Sequence, residues 1–323
     1  EESIQNILDM AELKKSGQIK ALIVCGCLAQ RYREEIRKEI PEVDEVLGTM
    51  ATDKIVEALE QAVAGNTGCY LGALDTLPLA DGRRVVTTGG HYAYLKIAEG
   101  CDKHCTYCII PKVRGDYRSV PMEQLLAEAE DLAEKGVREL ILVAQETTLY
   151  GTDLYGKKAL PELLKKLEAI PGIVWIRILY CYPEEINEEL IAAIRDSSKV
   201  CHYLDIPIQH ASDDVLHRMG RKTSEEQLRQ TIAHLREEIP DIALRTTLIS
   251  GFPGETQEDF EELYRFVNEM EFERLGVFPY SAEEDTPAAA MENQIPEEVK
   301  NFRRDELMEL QQDISLDKGN EKI

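Results

Sequence analysis

AYLKIAEGCDKHCTYCIIPKVRG, residues 93–115, joins a strand-like run to three cysteines held within eight positions. AYLKIAEG reads as a β-strand, and Cys101, Cys105 and Cys108 follow it with three and then two residues between them. A structural zinc site takes four ligands, normally as paired C-x-x-C halves separated by a longer span. His104 is the tempting fourth ligand, but it is adjacent in sequence to Cys105. Three thiolates suit instead a 4Fe-4S cluster with one iron left for another molecule to bind. The iron–sulfur reading is therefore preferred, with structural zinc as its alternative.

Beyond the loop, strand and helix patterns alternate. VPMEQLLAEAEDLAEKG leads to ELILVAQ, LPELLKKLEAI to VWIRILY, and INEELIAAIRD to CHYLDIPI. SEEQLRQTIAHLREEI leads to IALRTTLI, and ETQEDFEELYRFVNEM to RLGVFPYS. Six sequential strands with intervening helices predict right-handed crossovers. These coil the chain into a parallel sheet or incomplete barrel over 92–290, with functional loops at the C-terminal ends of the strands.

Residues 1–64 read as a separate partial α/β domain. IQNILDMAELKK is helical, IKALIVCG a buried strand, LAQRYREEIRKEI one helix, EVLGT a short strand, and TDKIVEALEQAV a helix capped by Thr52. A doubly wound unit would start on a strand, so its first strand is expected to be missing. The turn-rich residues 65–91 are expected to be a linker, and 291–323 a charged amphipathic closing helix.

The chain has 323 residues, 43% of them hydrophobic, enough for sizeable cores. Lys plus Arg number 37 against 61 Asp plus Glu, a net charge of -24. A generic phosphate-backbone binder would carry the opposite sign, so the balance favours a basic protein partner, and RNA binding is not expected. No apolar run approaches the roughly 20 residues of a membrane span, and EESIQNILDM lacks the features of a signal peptide. The expected location is cytoplasmic. Eight cysteines, three of them in one loop, fit metal ligation in a reducing compartment better than a disulfide framework.

CDKHCTYC at the end of a first strand, followed by five more strand–helix units, resembles the radical S-adenosylmethionine (SAM) superfamily, whose signature is C-x-x-x-C-x-x-C. The resemblance implies an incomplete (β/α)6 TIM-like radical SAM barrel. It also implies a 4Fe-4S cluster on Cys101, Cys105 and Cys108 whose open iron is chelated by S-adenosylmethionine, so that the fourth ligand is the substrate. Reductive cleavage would then yield methionine and a hydrogen-abstracting 5′-deoxyadenosyl radical. LIVCGCLAQRY resembles the late part of an N-terminal methylthiotransferase domain, which makes Cys27 a ligand of a second cluster and leaves Cys25 outside the motif. LVAQETTLYGTDLYG, YLDIPIQHASDDVLHRMGR and LISGFPGETQEDFEEL resemble the protein-modifying branch of this methylthiotransferase family. Its substrate is an aspartate β-carbon of small-subunit ribosomal protein S twelve, and its electrons come from a reductant protein such as flavodoxin. The tRNA-modifying branch, which usually carries a Gly-Gln-Asn-Val pattern at VAQETTLYG, is the first alternative. A non-catalytic iron–sulfur carrier or zinc-stapled binding module is the second.

The same resemblance implies that Gln145, Glu146 and Thr147 contact the amino group of S-adenosylmethionine, against a plain solvated loop. Asp205, Pro207, Gln209 and His210 would line its ribose and methionyl parts, with structural support of the barrel as the other role for His210. Arg218 or Arg221 would hold a carboxylate, against a surface ion pair. Gly251 and Gly254 of GFPGE would let backbone approach the nucleoside, against an ordinary strand-to-helix turn. Val277 and Phe278 would flank adenine, against simple packing. Cys69, Cys181 and Cys201 are expected to be incidental thiols. The family pattern has two further cysteines ahead of Cys27 and a β-rich TRAM domain after the closing helix. The expectation for a chain without them is that S-adenosylmethionine cleavage survives while methylthio transfer becomes inefficient.

Overall fold

The computed structural model describes residues 2–77 and 84–320. They form two compact units: Glu1–Arg84 with Glu99–Asp102 and Ile110–Arg118, and Val85–Ala98 with Lys103–Ile109 and Ser119–Ile323.

The first unit is built on three parallel strands in the order β1 (Ile23–Cys25), β2 (Glu45–Leu47) and β3 (Gly68–Tyr70). Around them lie α1 (Glu2–Lys15), α2 (Cys27–Tyr32), α3 (Glu34–Glu39), α4 (Ile55–Val63) and α5 (Ile110–Arg114). Ala11, Leu22, Val24, Ala29, Ile36, Val43 and Val46 make its core. Asp44 sets the register of the sheet, because its carboxylate accepts the Leu22 amide at 2.8 Å and pairs with Lys14 at 2.6 Å.

Three local expectations change here. LAQRYREEIRKEI is two helices, because Arg33 takes a left-handed φ of 47° between them. Thr52 opens a 3-10 turn, Thr52–Lys54, and Lys54 is the N-cap of α4 without a side-chain cap bond. The linker contains β3, paired with β2 from Glu45↔Gly68 to Leu47↔Tyr70. A three-residue strand carries no readable alternation, and a Cβ on Gly68 would lie 2.6 Å from the Glu45 carboxylate, which would have to shift. Residues 78–83 of the expected linker, and residues 1 and 321–323 at the two ends, lie outside the described residues.

The second unit carries six parallel strands: β4 (Tyr92–Lys96), then, after two-residue strands β5 (Ala98–Glu99) and β6 (Arg118–Ser119), β7 (Glu139–Val143), β8 (Trp175–Ile178), β9 (Val200–Asp205), β10 (Ala243–Ser250) and β11 (Arg274–Pro279). Their order in the sheet is their order in the chain, from β4 at one end to β11 at the other, which is the open (β/α)6 arrangement expected. The connections carry α6 (Met122–Glu134), α7 (Thr152–Tyr155), α8 (Leu160–Glu168), α9 (Glu188–Arg195), α10 (Asp213–Arg218), α11 (Glu225–Glu238) and α12 (Gln257–Met270). The closing helix α13 (Glu297–Asn320) belongs to this unit, since its Leu307 and Ile314 enter the main core beside Leu142, Ile178, Leu204 and Leu248. A strand buried on both faces needs a continuous apolar run, which LILV of β7 supplies, whereas WIRI of β8 alternates, with Ile176 and Ile178 buried and Trp175 exposed.

The barrel is not one uninterrupted segment from residue 92. Residues 99–102 and 110–118 group with the N-terminal residues, because the Thr49 hydroxyl donates to the Val113 carbonyl at 2.8 Å and Arg118 donates to the Thr76 carbonyl at 3.0 Å. No helix among the described residues is long and apolar enough to cross a membrane.

α12 shows how one side chain locks a strand end to a helix. Thr256 and Asp259 form a reciprocal capping box through Asp259 Oδ2, which also lies 3.6 Å from Arg218, and Oδ1 accepts the Ser212 hydroxyl at 2.5 Å. Burial raises this carboxyl, but the bonds from Ser212 and Thr256 and the charge of Arg218 outweigh it and hold it below the usual aspartate range. A depressed pKa contributes stability above the unfolded value and loses it as pH falls through the folded one. Asp259→Asn should therefore cost about 1–2 kcal/mol at pH 7. In urea titrations the gap to the parent should close below about pH 4, and a gap independent of pH would rule the charge out as the cause.

Candidate active site

Cys101 lies in the first unit, buried, with its amide donating to the Gly115 carbonyl at 3.2 Å. Nearby in that unit Glu99 is buried and pairs with Arg114 at 2.9 Å, and Arg114 also hydrogen-bonds Cys27. Cys27 is the half-buried first residue of α2.

Cys105 and Cys108 lie in the second unit, Cys105 buried and Cys108 half-buried. Their segment is held by its backbone: the Thr106 amide donates to the Met219 carbonyl at 2.9 Å, and the Ala288 amide to the Thr106 carbonyl at 2.9 Å. The Tyr107 ring packs beneath them on a small core of Val215, Met219, Phe252, Tyr280 and Ala288. Its phenol is pushed well above the ordinary value, chiefly by burial. His104 is exposed, with a left-handed φ of 52°. Among the described residues, no three His, Cys, Asp or Glu side chains converge on one point to hold a metal ion. A 4Fe-4S cluster gives each cysteine its own iron, so its ligands need not meet at one point.

The remaining polar side chains stand at the C-terminal ends of the strands, where barrel enzymes place their chemistry. After β7, Glu146 is fully buried; one carboxylate oxygen accepts the Thr148 amide at 2.9 Å and the other has no hydrogen-bond partner. Desolvation raises this carboxyl to about 7, against hydrogen bonds from Thr148 and the charge of Lys103 at 4.0 Å. Gln145 Oε1 is likewise buried without a partner. Thr147 is committed elsewhere, since its hydroxyl donates to the Tyr180 carbonyl at 2.9 Å.

At the end of β9, Asp205 Oδ1 is buried without a partner, and burial pushes the carboxyl above its usual range. Gln209 has a left-handed φ of 70°, held by backbone bonds to Thr247 and Ile249 on β10. His210 is fully buried: Nδ1 accepts the Ser212 amide at 3.0 Å, and Nε2 lies 3.6 Å from Glu255 with no hydrogen bond. The Arg221 side chain is 1% exposed; Nη2 meets Glu184 at 3.2 Å, while Nε and Nη1 have no partner.

Other candidates sit differently. The left-handed Gly251 makes room for α13, because a Cβ there would lie 2.3 Å from Lys300 Cγ, and a Cβ on Gly254 would lie 3.3 Å from Arg218 Nη1. Val277 belongs to the main core, and Phe278, on the opposite face of β11, is 61% exposed. Cys181 is a buried thiol whose pKa burial raises strongly, and no disulfide joins the cysteines among the described residues.

The sequence reading passed over Lys103, Tyr182 and Glu185. Lys103 pairs with Glu185 and lies 5.0 Å from the centre of the Tyr182 ring, while the Arg221 guanidinium lies 4.2 Å from that centre. YCYPEE after β8 carried a usable signal, because it is a polar and aromatic segment at the C-terminal end of a strand. Buried donors and acceptors lacking protein partners are costly unless something else satisfies them. Both signs are present, carboxylate oxygens for a cation and guanidinium nitrogens for an anion, and this donor set fits a zwitterionic ligand such as S-adenosylmethionine.

Comparison with known proteins agrees with this chemistry. The radical SAM superfamily profile matches residues 95–267, and the profile described as uncharacterized protein family UPF0004 matches residues 1–48. Ribosomal protein uS12 methylthiotransferase RimO of Lachnoclostridium phytofermentans is 64% identical over the whole chain, which spans 73% of that relative. The proteins of the same name from Clostridium tetani and Clostridioides difficile are 50% and 51% identical over the whole chain, which spans 72% and 73% of them. Among solved structures, the cobalamin-dependent S-adenosylmethionine radical enzyme OxsB aligns with a TM-score of 0.58 at 13% identity, over 96% of this chain and 46% of that one, a likeness of fold alone. An open parallel barrel, a C-x-x-x-C-x-x-C loop after its first strand and this degree of identity lead to one conclusion: the chain belongs to the RimO family of radical SAM methylthiotransferases, transferases that work with 4Fe-4S clusters and S-adenosylmethionine.

Proposed function

We propose that the chain transfers a methylthio group to the β-carbon of an aspartate in small-subunit ribosomal protein S twelve. In this reading Cys101, Cys105 and Cys108 hold the radical-generating cluster and Cys27 contributes to a second one. The supporting observation is the set of buried polar atoms without protein partners at the ends of β7 and β9 and at Arg221, in a chain 64% identical to a uS12 methylthiotransferase. When bound, the cluster and S-adenosylmethionine supply the radical chemistry that opens an unactivated C–H bond. The chain's own residues bind and orient. Glu146 and Gln145 accept from the ligand's ammonium, Arg221 meets its carboxylate, and Asp205 takes a hydroxyl. Thr147, bound to the Tyr180 carbonyl, fixes the turn that carries Gln145 and Glu146. The net charge of -24 complements a basic ribosomal protein and disfavours the tRNA alternative.

The first test is anaerobic loading with iron and sulfide, then dithionite, S-adenosylmethionine and S twelve protein, with quantification of 5′-deoxyadenosine and mass spectrometry of the protein. The parent should give 5′-deoxyadenosine and a methylthio increment on an aspartate, and Cys105→Ala should give neither. Modification of tRNA in place of the protein would transfer the assignment to the tRNA branch.

Glu146 provides a pH test. Its carboxyl near 7 must be ionised to hold an ammonium, so S-adenosylmethionine affinity should rise as pH increases through that value. Calorimetry should show a gain of up to about tenfold per pH unit below it. Glu146→Gln should bind more weakly at pH 8 and flatten the profile; an unchanged slope would remove Glu146 from the site.

A further inference from the structure

Tyr182 lies outside every motif used above, yet its side chain is set against Cys105, on which the Tyr107 phenol also acts. The Tyr182 hydroxyl is 3.5 Å from Cys105 Sγ, and the residue is 8% exposed. Its ring lies 4.2 Å from the Arg221 guanidinium and 5.0 Å from the Lys103 ammonium, two cations each tied to a carboxylate, Glu184 and Glu185. Pro183–Glu185 forms a 3-10 turn directly after it, so the loop following β8 carries the tyrosine together with both carboxylates.

In the free protein either the thiol or the phenol can donate across this contact. A cysteine bound to iron is a thiolate and has no proton to give, so the hydroxyl becomes the donor and the sulfur the acceptor. Hydrogen bonds to the ligand sulfurs, and the charges behind them, are among the levers that set the potential of an iron–sulfur cluster. Reduction adds one electron whose charge is spread partly over those sulfurs. A donor aimed at sulfur therefore stabilises the reduced state more than the oxidised one. The two cations against the ring strengthen the effect by drawing electron density from the phenol.

We propose that Tyr182 is a positioning residue for the radical-generating cluster: its hydroxyl donates to Cys105 Sγ and raises the reduction potential, with Arg221 and Lys103 holding the ring in place. The inference rests on Cys105 being a cluster ligand. It extends that assignment by naming a residue that acts through the ligand sulfur and controls how readily the electron is accepted. The loop after β8 thereby has two tasks, aiming the phenol and anchoring the cations that flank it.

The test is an anaerobic redox titration, monitored by electron paramagnetic resonance, of the loaded parent, of Tyr182→Phe, and of protein with 3-fluorotyrosine at position 182. Tyr264→Phe, on α12, serves as the control for loss of a hydroxyl. Tyr182→Phe should bind the same amount of iron and show a lower midpoint potential. At fixed solution potential its reduced fraction should fall by about three- to tenfold, where tenfold corresponds to about 59 mV for one electron. The fluorinated phenol, a stronger donor of nearly the same shape, should shift the potential upward, and Tyr264→Phe should match the parent. Equal potentials for the parent and Tyr182→Phe overturn the inference while leaving the cluster assignment intact. Should Tyr182→Phe fail to take up iron, the fluorotyrosine protein decides, and an unchanged potential there overturns the inference. Failure of the parent itself to bind a cluster overturns the ligand assignment and this inference with it.

Discussion

The C-terminal end of the large sheet depends on one buried carboxylate. Glu255 is 2% exposed; it accepts the amides of Gly251 and Phe252 at 2.7 and 3.1 Å and the Arg303 guanidinium at 2.7 Å, and lies 3.6 Å from His210. Such a charge is stable away from water only because donors surround it. In meeting that need it draws together the end of β10, the turn before α12, the closing helix and the histidine after β9. α13 thus behaves as part of the sheet's support, with Gln311 donating to the Phe272 carbonyl at 2.8 Å further along.

Against this satisfied group stand others that the protein leaves incomplete. Glu146, Asp205 and Arg221 are as deeply enclosed, but each keeps atoms with no partner. Folding has already removed these groups from water, and a ligand that completes them recovers stabilisation the apoprotein forgoes. The contrast is what the proposed function rests on: Glu255 is satisfied within the chain, and the other three keep polar atoms that the proposed ligand would satisfy.

The large fold was legible because its signals are long. The apolar run in ELILV and the alternation in WIRI, each followed by a helix with a clear apolar stripe, are legible as sequential parallel strands. The short elements were not. β3 is three residues long, the α2–α3 break turns on Arg33 taking a left-handed conformation that nothing in the residue type favours, and Thr52 was a plausible cap one turn too early. In the candidate site, the C-x-x-x-C-x-x-C spacing is a local pattern that can be read directly from the sequence. The reason for Gly251 was not legible, because its neighbour Lys300 is 49 positions away and comes close only in the folded chain. Tyr182 was obscured in the same way, since the phenol and the thiol it faces are separated by 77 positions.

Cys181, fully buried behind the Thr147 hydroxyl and with its thiol pKa strongly raised, is closed to solvent reagents while the large unit is folded. A thiolate must form before an alkylating agent can attack, and here it cannot form until the strand ends separate. Cys25, at the edge of the small sheet, is exposed and within reach of solvent reagents. The chain therefore carries its own pair of timers: one thiol registers ordinary solvent exposure, and the other records the rate at which the barrel opens.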